Sequence, residues 1–304
     1  MNRRRGRFGR PEIVGLMFAA PWLVGISIFG LYPIVSSFYL SLCRYNIIRP
    51  PAFIGIENYS ILFTEDPLFW KSLWNTVYLT AFGLPVQLGF ALAAAMLLNM
   101  KVKGQSVFRT LTYLPTVVPA VATAILWVWI LNPEYGLLNS VLRFIGLPAP
   151  GWLSDPTWSK PALILVGIWG TGNTAIIFLA GLQQVPRALY EAATVDGAGI
   201  LQQFRHVTLP MLSPVIFFNL VMGIIGSFQY FTHVYVMTAG LGGGGRGAGG
   251  PEFSTLVYPL YLYQNAFLFF RMGYASAMAW ILFLIVAVIL AFVFRTSSWV
   301  HEDS

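Results

Sequence analysis

The sequence predicts an all-α protein that crosses a lipid bilayer six times. Of its 304 residues, 57% are hydrophobic and only 10% are charged, against about 25% charged in a typical soluble domain. A chain with so few charged residues cannot cover the surface of a soluble globule. It also contains six apolar stretches long enough to cross a hydrocarbon core of about 30 Å, which takes about 20 helical residues.

The six predicted spans follow one another along the chain. They are Ile13–Leu42, Leu73–Leu98, Thr110–Leu131, Pro161–Leu182, Leu212–Met237 and Ala275–Phe294. Basic residues precede the first span, as in a signal peptide, but the apolar core of such a peptide is only roughly 7–15 residues long. We therefore expect residues 1–12 to be a basic N-terminal segment and the first span to be uncleaved, with kinks at Pro21 and Pro33.

The Lys and Arg residues predict the orientation of these spans. Eleven of the 18 lie on the side of the N-terminus: Arg3, Arg4, Arg5, Arg7, Arg10, Lys101, Lys103, Arg109, Arg187, Arg205 and Arg295. The other seven lie on the opposite side, where the loops are longer: Arg44, Arg49, Lys71, Arg143, Lys160, Arg246 and Arg271. Because short cytoplasmic loops are rich in positive residues, we expect both termini to be cytoplasmic in a multi-pass protein of the inner membrane. The net charge of +7 then reflects topology and not nucleic-acid binding.

The predicted spans contain no Asp or Glu. Ion- and proton-coupled carriers place charged side chains inside the membrane because the coupling ion needs a partner there. A carrier driven by its own proton relay is therefore disfavoured, and the energy for any transport must come from another protein.

Several motifs exclude other functions. No G-x-x-x-x-G-K-[ST] motif is present, so a P-loop for ATP is not expected. The G-x-G-x-x-G match at residues 245–250 follows no strand and predicts a flexible outer linker. One cysteine, Cys43, and three scattered histidines, His206, His233 and His301, predict no metal site.

Neutral polar and aromatic side chains in spans four and five predict a substrate path. Span four has Trp169, Thr171, Asn173 and Thr174, and span five has Asn219, Ser227, Gln229, Tyr230, Thr232, His233 and Tyr235. Hydroxyl and amide groups beside aromatic faces are what a neutral polyol such as a sugar requires. The alternative is that the polar groups join helices through hydrogen bonds and the aromatic rings fill space.

A polar, helix-breaking stretch separates spans four and five. Glu191-Ala192-Ala193 predicts the start of a short helix, and Gly197 predicts its end. Pro210 and Pro214 are expected to stop one element and open the next. A structured loop of this kind between membrane spans is typical of a contact surface for another protein.

That stretch resembles the EAA loop of the membrane subunits of binding-protein-dependent ABC importers. Glu191-Ala192-Ala193, Gly197 and Val207-Thr208-Leu209-Pro210 are in register with the family pattern, and Asp196 and Phe204 match further positions. Residues 53–59, 66–70, 75–76, 132–139, 152–156 and 270–277 resemble the permeases of maltose, glycerol-phosphate and multi-sugar importers. The resemblance covers nearly the whole chain after about residue 12. The glycine-rich run at 242–250 is longer than is usual in the family.

The resemblance implies the fold of a type I ABC importer permease over residues 13–304. It also implies that the loop at about 185–211 is a coupling helix that docks in a cleft of the ATPase. The residues carried over to this role are Glu191, Ala192, Ala193, Asp196, Gly197, Ala198, Leu209 and Pro210. Glu191 is expected to pair with a basic residue of the ATPase; the alternative is that it caps the N-terminus of a helix.

The resemblance extends to the substrate path. The run from Ser227 to Phe231 resembles the segment that supplies sugar contacts in the maltose-type permease. Ser227 and Tyr230 are three residues apart and are expected to share one helix face. With Gln229, Phe231, Trp169, Thr171 and Asn173 they make up the predicted substrate path.

The predicted function is that of a permease subunit that translocates a carbohydrate and catalyses no reaction itself. The resemblance implies a second homologous permease, two ABC ATPase subunits that bind ATP and Mg²⁺, and an extracytoplasmic binding protein, with no cofactor in this chain. Three alternatives remain open: an ABC permease for a glycerol phosphoester or an amino acid, a facilitative carrier acting alone, and a non-transporting membrane scaffold.

Overall fold

The structure, a computed structural model, describes residues 10–100, 103–239 and 248–297. Residues 1–9 of the basic segment, Lys101, residues 242–247 of the glycine-rich loop and His301 lie outside the described residues. Within them the chain is almost entirely helical, which confirms the predicted fold class. Two strands, β1 (Cys43–Arg44) and β2 (Ala52–Phe53), form a short antiparallel pair.

Seventeen α-helices occur in the described part of the chain. The first nine are α1 (Arg10–Ile26), α2 (Tyr32–Ser41), α3 (Glu57–Thr64), α4 (Pro67–Tyr78), α5 (Leu84–Asn99), α6 (Gln105–Val117), α7 (Ala120–Ile130), α8 (Leu137–Phe144) and α9 (Pro156–Trp169). The others are α10 (Gly172–Gln184), α11 (Arg187–Val195), α12 (Ile200–Gln203), α13 (Leu209–Met211), α14 (Ser213–Ser227), α15 (Thr232–Ala239), α16 (Tyr258–Tyr263) and α17 (Met272–Arg295).

Three continuous helices are long and apolar enough to cross a membrane. They are Val14–Ser41, Pro67–Asn99 and Met272–Arg295. Three pairs of helices pass the same test together but are bent: α6 with α7 by 100°, α9 with α10 by 51°, and Ile200–Met211 with α14 by 66°. The predicted number of six spans is matched when each bent pair counts as one span. The continuity predicted for spans three, four and five is wrong.

Prolines explain why some helices contain π-helical turns. Such turns at Ser27–Leu31, Leu79–Gly83 and Phe204–Thr208 each end two residues before a proline. Proline lacks an N–H group and its ring clashes with the carbonyl four residues back, so the backbone widens before it. The N–H groups of Tyr32 and Leu209 accordingly donate to carbonyls five residues back. The kink predicted at Pro33 is thus a π-helical turn within one continuous helix.

The break between α6 and α7 also has a proline as its cause. Val118 is extended, with φ −71° and ψ 129°, because the ring of Pro119 disfavours the α conformation in the preceding residue. The predicted single span Thr110–Leu131 is therefore two helices that meet at a sharp angle.

Span five ends earlier than predicted. Helix α14 stops at Ser227, and α15 begins only at Thr232. The backbone hydrogen bonds after α14 join residues three apart and not four, since the N–H of Tyr230 donates to the carbonyl of Ser227. This turn lets Phe228, which is only 1% exposed, pack against Leu84 and Ile224. The prediction of one helix over Leu212–Met237 is corrected to two.

The chain divides into two compact units. The first contains the chain up to Thr64 together with Asn265–Trp280. Inside it the buried Asn58 amide donates to the carbonyls of Ser41 and Cys43, at 2.8 and 3.0 Å. These bonds hold the end of α2 and the start of β1 against α3.

The second unit contains Glu65–Gln264 and the chain from Ile281 onward. Its main core forms where α5 packs along α10. The fully buried members are Ala91, Ala95, Leu98, Ala175, Phe178, Leu179, Leu182 and Leu212. Small alanines let the two helices approach closely, and van der Waals packing is the main source of helix association in a bilayer.

A hydrogen-bonded clamp in the second unit fixes residues 253–258 to α4. The buried Asn75 amide donates to the carbonyls of Phe253 and Leu256, at 2.9 and 3.0 Å. The hydroxyl of Thr76 accepts from the N–H of Tyr258 at 2.8 Å. Each of these side chains satisfies backbone groups that burial would otherwise leave unpaired.

Candidate functional site

The loop between spans four and five folds as a helical hairpin. Helix α11 begins at Arg187, directly after Pro186, so Glu191-Ala192-Ala193 lies inside this helix and not at its start. The predicted helix start is therefore wrong by four residues. The alternative that Glu191 caps a helix N-terminus is excluded for the same reason. The Glu191 carboxylate is exposed and has no ionic partner among the described residues.

Gly197 ends this helix in the way that the sequence predicts. It has φ +80°, a conformation that costs little only for glycine. Its N–H donates to the carbonyl of Thr194, and the N–H of Ala198 donates to that of Ala193. This pair of bonds is a Schellman motif, with Asp196 as the last residue before the left-handed position. A side chain at Gly197 would meet no atom within 4 Å, so the backbone conformation alone demands glycine.

Helix α12 returns along α11 and is tied to it. The Gln203 amide donates to the hydroxyl of Thr194 at 3.0 Å and to the carbonyl of Ala198 at 3.1 Å. The tip of the hairpin is apolar and exposed. Its residues are Val195, Ile200 and Leu201, which are 88%, 87% and 78% exposed.

The hairpin presents a defined surface. A shallow depression beside the tip is lined by Ala193, Asp196, Gly197, Ala198, Gln202, His206 and Val207. Leu209 and Pro210 form α13, which continues the hairpin toward α14 after the π-helical turn. A rigid loop with exposed apolar side chains and an exposed carboxylate is suited to bind another protein.

A cavity of about 390 Å³ lies within the second unit. This volume falls in the range of about 300–1,000 Å³ that is common for small-molecule sites. Its walls come from the π-helical turn Leu79–Gly83, from α5, α9, α10 and α14, from the break between α9 and α10, and from the turn that follows α14. Its polar lining residues are Gln87, Thr171, Asn173, Thr174, Asn219, Ser227 and Tyr230. None of the described residues that line it is charged.

The polar residues of the cavity differ in whether their hydrogen bonds are already made. Thr171 donates to the carbonyl of Ile168 at 2.8 Å, and Asn219 donates to that of Val215 at 2.8 Å. Both are local bonds to carbonyls three or four residues back, so neither joins two helices as the alternative predicted. In contrast, the side chains of Gln87, Asn173, Thr174, Ser227 and Tyr230 make no hydrogen bond to other described residues. All five residues line a space that can hold a ligand.

Tyr230 is the clearest of these five residues. Its hydroxyl is fully buried without a hydrogen-bond partner in the described part of the chain. Its ring stacks on His233, with 5.3 Å between centroids and 15° between planes. A buried hydroxyl left unpaired is costly, so its presence points to a partner that the chain itself does not supply.

Ser227 and Tyr230 reach the same cavity by a route that differs from the predicted one. They do not share a face of one helix, because Ser227 is the last residue of α14 and Tyr230 lies in the break before α15. The three-residue turn between them keeps both side chains on the same side. The predicted pairing of these residues therefore holds, but its geometric reason is corrected.

Three predicted path residues lie outside the lining of the cavity. Trp169 packs edge-on against Trp127, with 6.0 Å between centroids. Phe231 stacks on Tyr235 at 5.3 Å, and Gln229 is exposed in the turn. Their role in a substrate path stays a prediction.

Sequence reasoning missed Gln87. Its side chain lies in α5 and lines the cavity from span two, whereas the predicted path drew only on spans four and five. A signal was available, because Gln87 is the one residue with a polar side chain between positions 81 and 98. An isolated amide in so apolar a stretch carries a desolvation cost and needs a reason.

The fold and the two sites define a class of protein. Helices long and apolar enough to cross a membrane, a neutral polar cavity and an exposed helical loop between two of the helices are features of a transport permease. The family of binding-protein-dependent transport system inner membrane components matches residues 87–301. The chain belongs to this family.

Two relatives support this membership, and one solved structure shares the fold. The chain is 42% identical to the "Probable ABC transporter permease protein YesP" of Bacillus subtilis over 298 residues, which cover 97% of this chain and 94% of the relative. It is 38% identical to the lactose transport system permease protein LacF of Rhizobium radiobacter over 285 residues, 91% and 92% of the two chains. A crystal structure of a bacterial ABC transporter involved in alginate import is similar in fold, with a TM-score of 0.81, 24% identity and coverage of 96% and 98%. The fold is that of a type I ABC importer permease, as predicted.

Proposed function

We propose that this chain is the permease subunit of an ATP-driven importer that carries a carbohydrate across the cytoplasmic membrane. The observation that carries the proposal is the group of five unused hydroxyl and amide side chains around a cavity without charged lining residues. Such groups donate to and accept from the hydroxyls of a sugar. The identity to a lactose permease supports the same substrate class.

The absence of charge in the cavity lining distinguishes among substrates. An amino acid or a phosphoester carries a carboxylate or phosphate, which is bound best by Arg or by other charged donors. The described lining residues offer only neutral groups. A neutral polyol therefore fits the cavity better than either alternative solute.

The proposed source of energy is a pair of ATPase subunits that bind the hairpin loop. The exposed apolar tip and the exposed Glu191 favour a protein partner at this surface. In this proposal Glu191 pairs with a basic ATPase residue, and Ala192 and Ala193 allow close approach. ATP and Mg²⁺ bind to those subunits, and the permease itself catalyses nothing and needs no cofactor.

The remaining parts of the assembly follow the family. We propose a second homologous permease and an extracytoplasmic binding protein that delivers the sugar. The distribution of Lys and Arg supports cytoplasmic termini and a cytoplasmic coupling loop at about 185–211, within a permease domain over residues 13–304.

Reconstitution tests the proposal. The chain is purified with its partner permease, ATPase and binding protein and placed in liposomes, and uptake of radiolabelled lactose, trehalose and arabinotriose is measured. We expect uptake of at least one sugar that requires ATP and every subunit. Uptake by this chain alone would instead establish a facilitative carrier. ATP-dependent uptake of an amino acid or a glycerol phosphoester, without any sugar, would replace the substrate class.

A further inference from the structure

The Gln87 carboxamide lies directly over the α-carbon of Gly167. A Cβ atom at Gly167 would be 2.9 Å from Cδ of Gln87 and nearer still to its Nε2. Real Cβ atoms are essentially never this close to another heavy atom. The missing side chain at Gly167 therefore creates the slot in α9 that the amide of α5 occupies.

The Gln87 amide is held in place by packing against its neighbours and not by hydrogen bonds. Gln87 is half-buried and makes no hydrogen bond with any other part of the chain that the structure describes. Its neighbours in the cavity wall, Leu88 and Ile164, are apolar. An amide has two donors and two acceptor lone pairs, and leaving them unpaired in an apolar wall is unfavourable.

A purely structural role does not explain this arrangement. An amide with a structural role would bond to the protein, as that of Asn219 bonds to the carbonyl of Val215. A side chain that only filled the slot over Gly167 could be apolar, since the surrounding wall is apolar. The amide chemistry at position 87 is therefore unused by the chain itself.

We propose that Gln87 is a further substrate-contacting residue, which binds a sugar hydroxyl from span two, and that Gly167 positions its amide. This inference rests on the proposed function and adds a specificity determinant to it. An amide can donate to one hydroxyl and accept from its neighbour, so it favours a sugar that presents both at this wall of the cavity.

The test uses the complete complex in liposomes. The wild-type complex first shows which of lactose, trehalose and arabinotriose is taken up, and monodeoxy derivatives of that sugar then serve as competitors. Gln87→Met keeps the length of the side chain and removes its hydrogen bonds. We expect its KM to rise roughly two- to tenfold, the effect of one hydrogen bond. One monodeoxy derivative should inhibit uptake by the wild type only weakly. The same derivative should inhibit uptake by Gln87→Met as well as the parent sugar does.

Gly167→Ala tests the positioning role. It should raise KM by displacing the amide, and it should have no further effect in a Gln87→Ala background. Gly89→Ala is the matched control, because Gly89 lies in the same helix as Gln87 and a Cβ there meets nothing within 4 Å. It should leave transport unchanged.

The outcomes separate the two proposals. One outcome is that the wild type takes up a sugar while Gln87→Met shows an unchanged KM or unchanged discrimination among the deoxy sugars. That result would overturn the assignment of Gln87 and leave the proposed function intact. No sugar uptake by the wild type would overturn the proposed function, and hydroxyl recognition with it. If Gln87→Met does not assemble, Gln87→Ala is judged by the same KM and competition criteria.

Discussion

Gly197 offers the sharpest test of the coupling loop. Its φ of +80° lies in the left-handed region, and the space around its missing side chain is open. A substitution therefore acts through the backbone and not through a clash within this chain. The left-handed conformation costs an L-residue about 1–2 kcal/mol, least for Asn and most for β-branched residues.

This cost predicts a graded series. A penalty of 1–2 kcal/mol lowers the population of the native turn by up to about 5–30-fold. We expect coupled transport to fall in the order Gly197→Asn, Gly197→Ala and Gly197→Val, with the last the most impaired. The helices that cross the membrane are unaltered, so the protein should still insert and assemble.

The assay is sugar uptake together with binding-protein-stimulated ATPase activity of the complete complex. Gly199→Ala is the matched control, since Gly199 has an ordinary φ of −72° and lies in the same hairpin. Wild-type transport by Gly197→Val would refute the reasoning. A larger loss in Gly197→Asn than in Gly197→Ala would show that side-chain size at the docking surface, and not φ, is the constraint.

Three further predictions concern topology, the cavity and stability. An impermeant thiol reagent should label Glu134→Cys in intact cells and Gln202→Cys only after lysis; labelling of the latter in intact cells would contradict the orientation. Tyr230→Phe should raise the KM for sugar roughly two- to tenfold through the loss of one hydrogen bond, with basal ATPase activity retained; an unchanged KM would mean that the hydroxyl does not contact the substrate. Asn75→Leu should destabilise the protein by about 1–3 kcal/mol, seen as a lower thermal midpoint, because the buried carbonyl of Leu256 and the partly buried carbonyl of Phe253 lose their donor; an unchanged midpoint would show that the clamp does not contribute.

The turn at Gly197 could be predicted because its cause is local. A helix that must stop between two short elements needs a left-handed residue, and glycine is the residue that adopts it freely. The start of α11 was missed for a related reason. Ala and Glu favour a helix interior as much as its first turn, so their propensity does not mark where the helix begins.

The polar residues of the cavity show where sequence reasoning stops. Thr171 and Asn173 are two positions apart and equally suited to bind a sugar by residue type. The hydroxyl of Thr171 donates to a backbone carbonyl, whereas the side chain of Asn173 makes no hydrogen bond to another described residue. Which of them is available depends on the geometry of the break between α9 and α10, and the sequence does not state that geometry.

The sequence by itself determined the helical membrane class, the six apolar stretches and the coupling-loop pattern. Hydropathy, turn chemistry and motif spacing are properties of contiguous residues, so they can be read along the chain. Only the tertiary structure decided that three spans are bent, that Ser227 and Tyr230 meet across a turn, and that Gln87 joins the cavity. The place of Gln87 depends on a contact between helices that are distant in sequence, because its amide occupies the space left by Gly167. The bends and the turn depend on backbone angles, and residue types do not fix the size of such an angle.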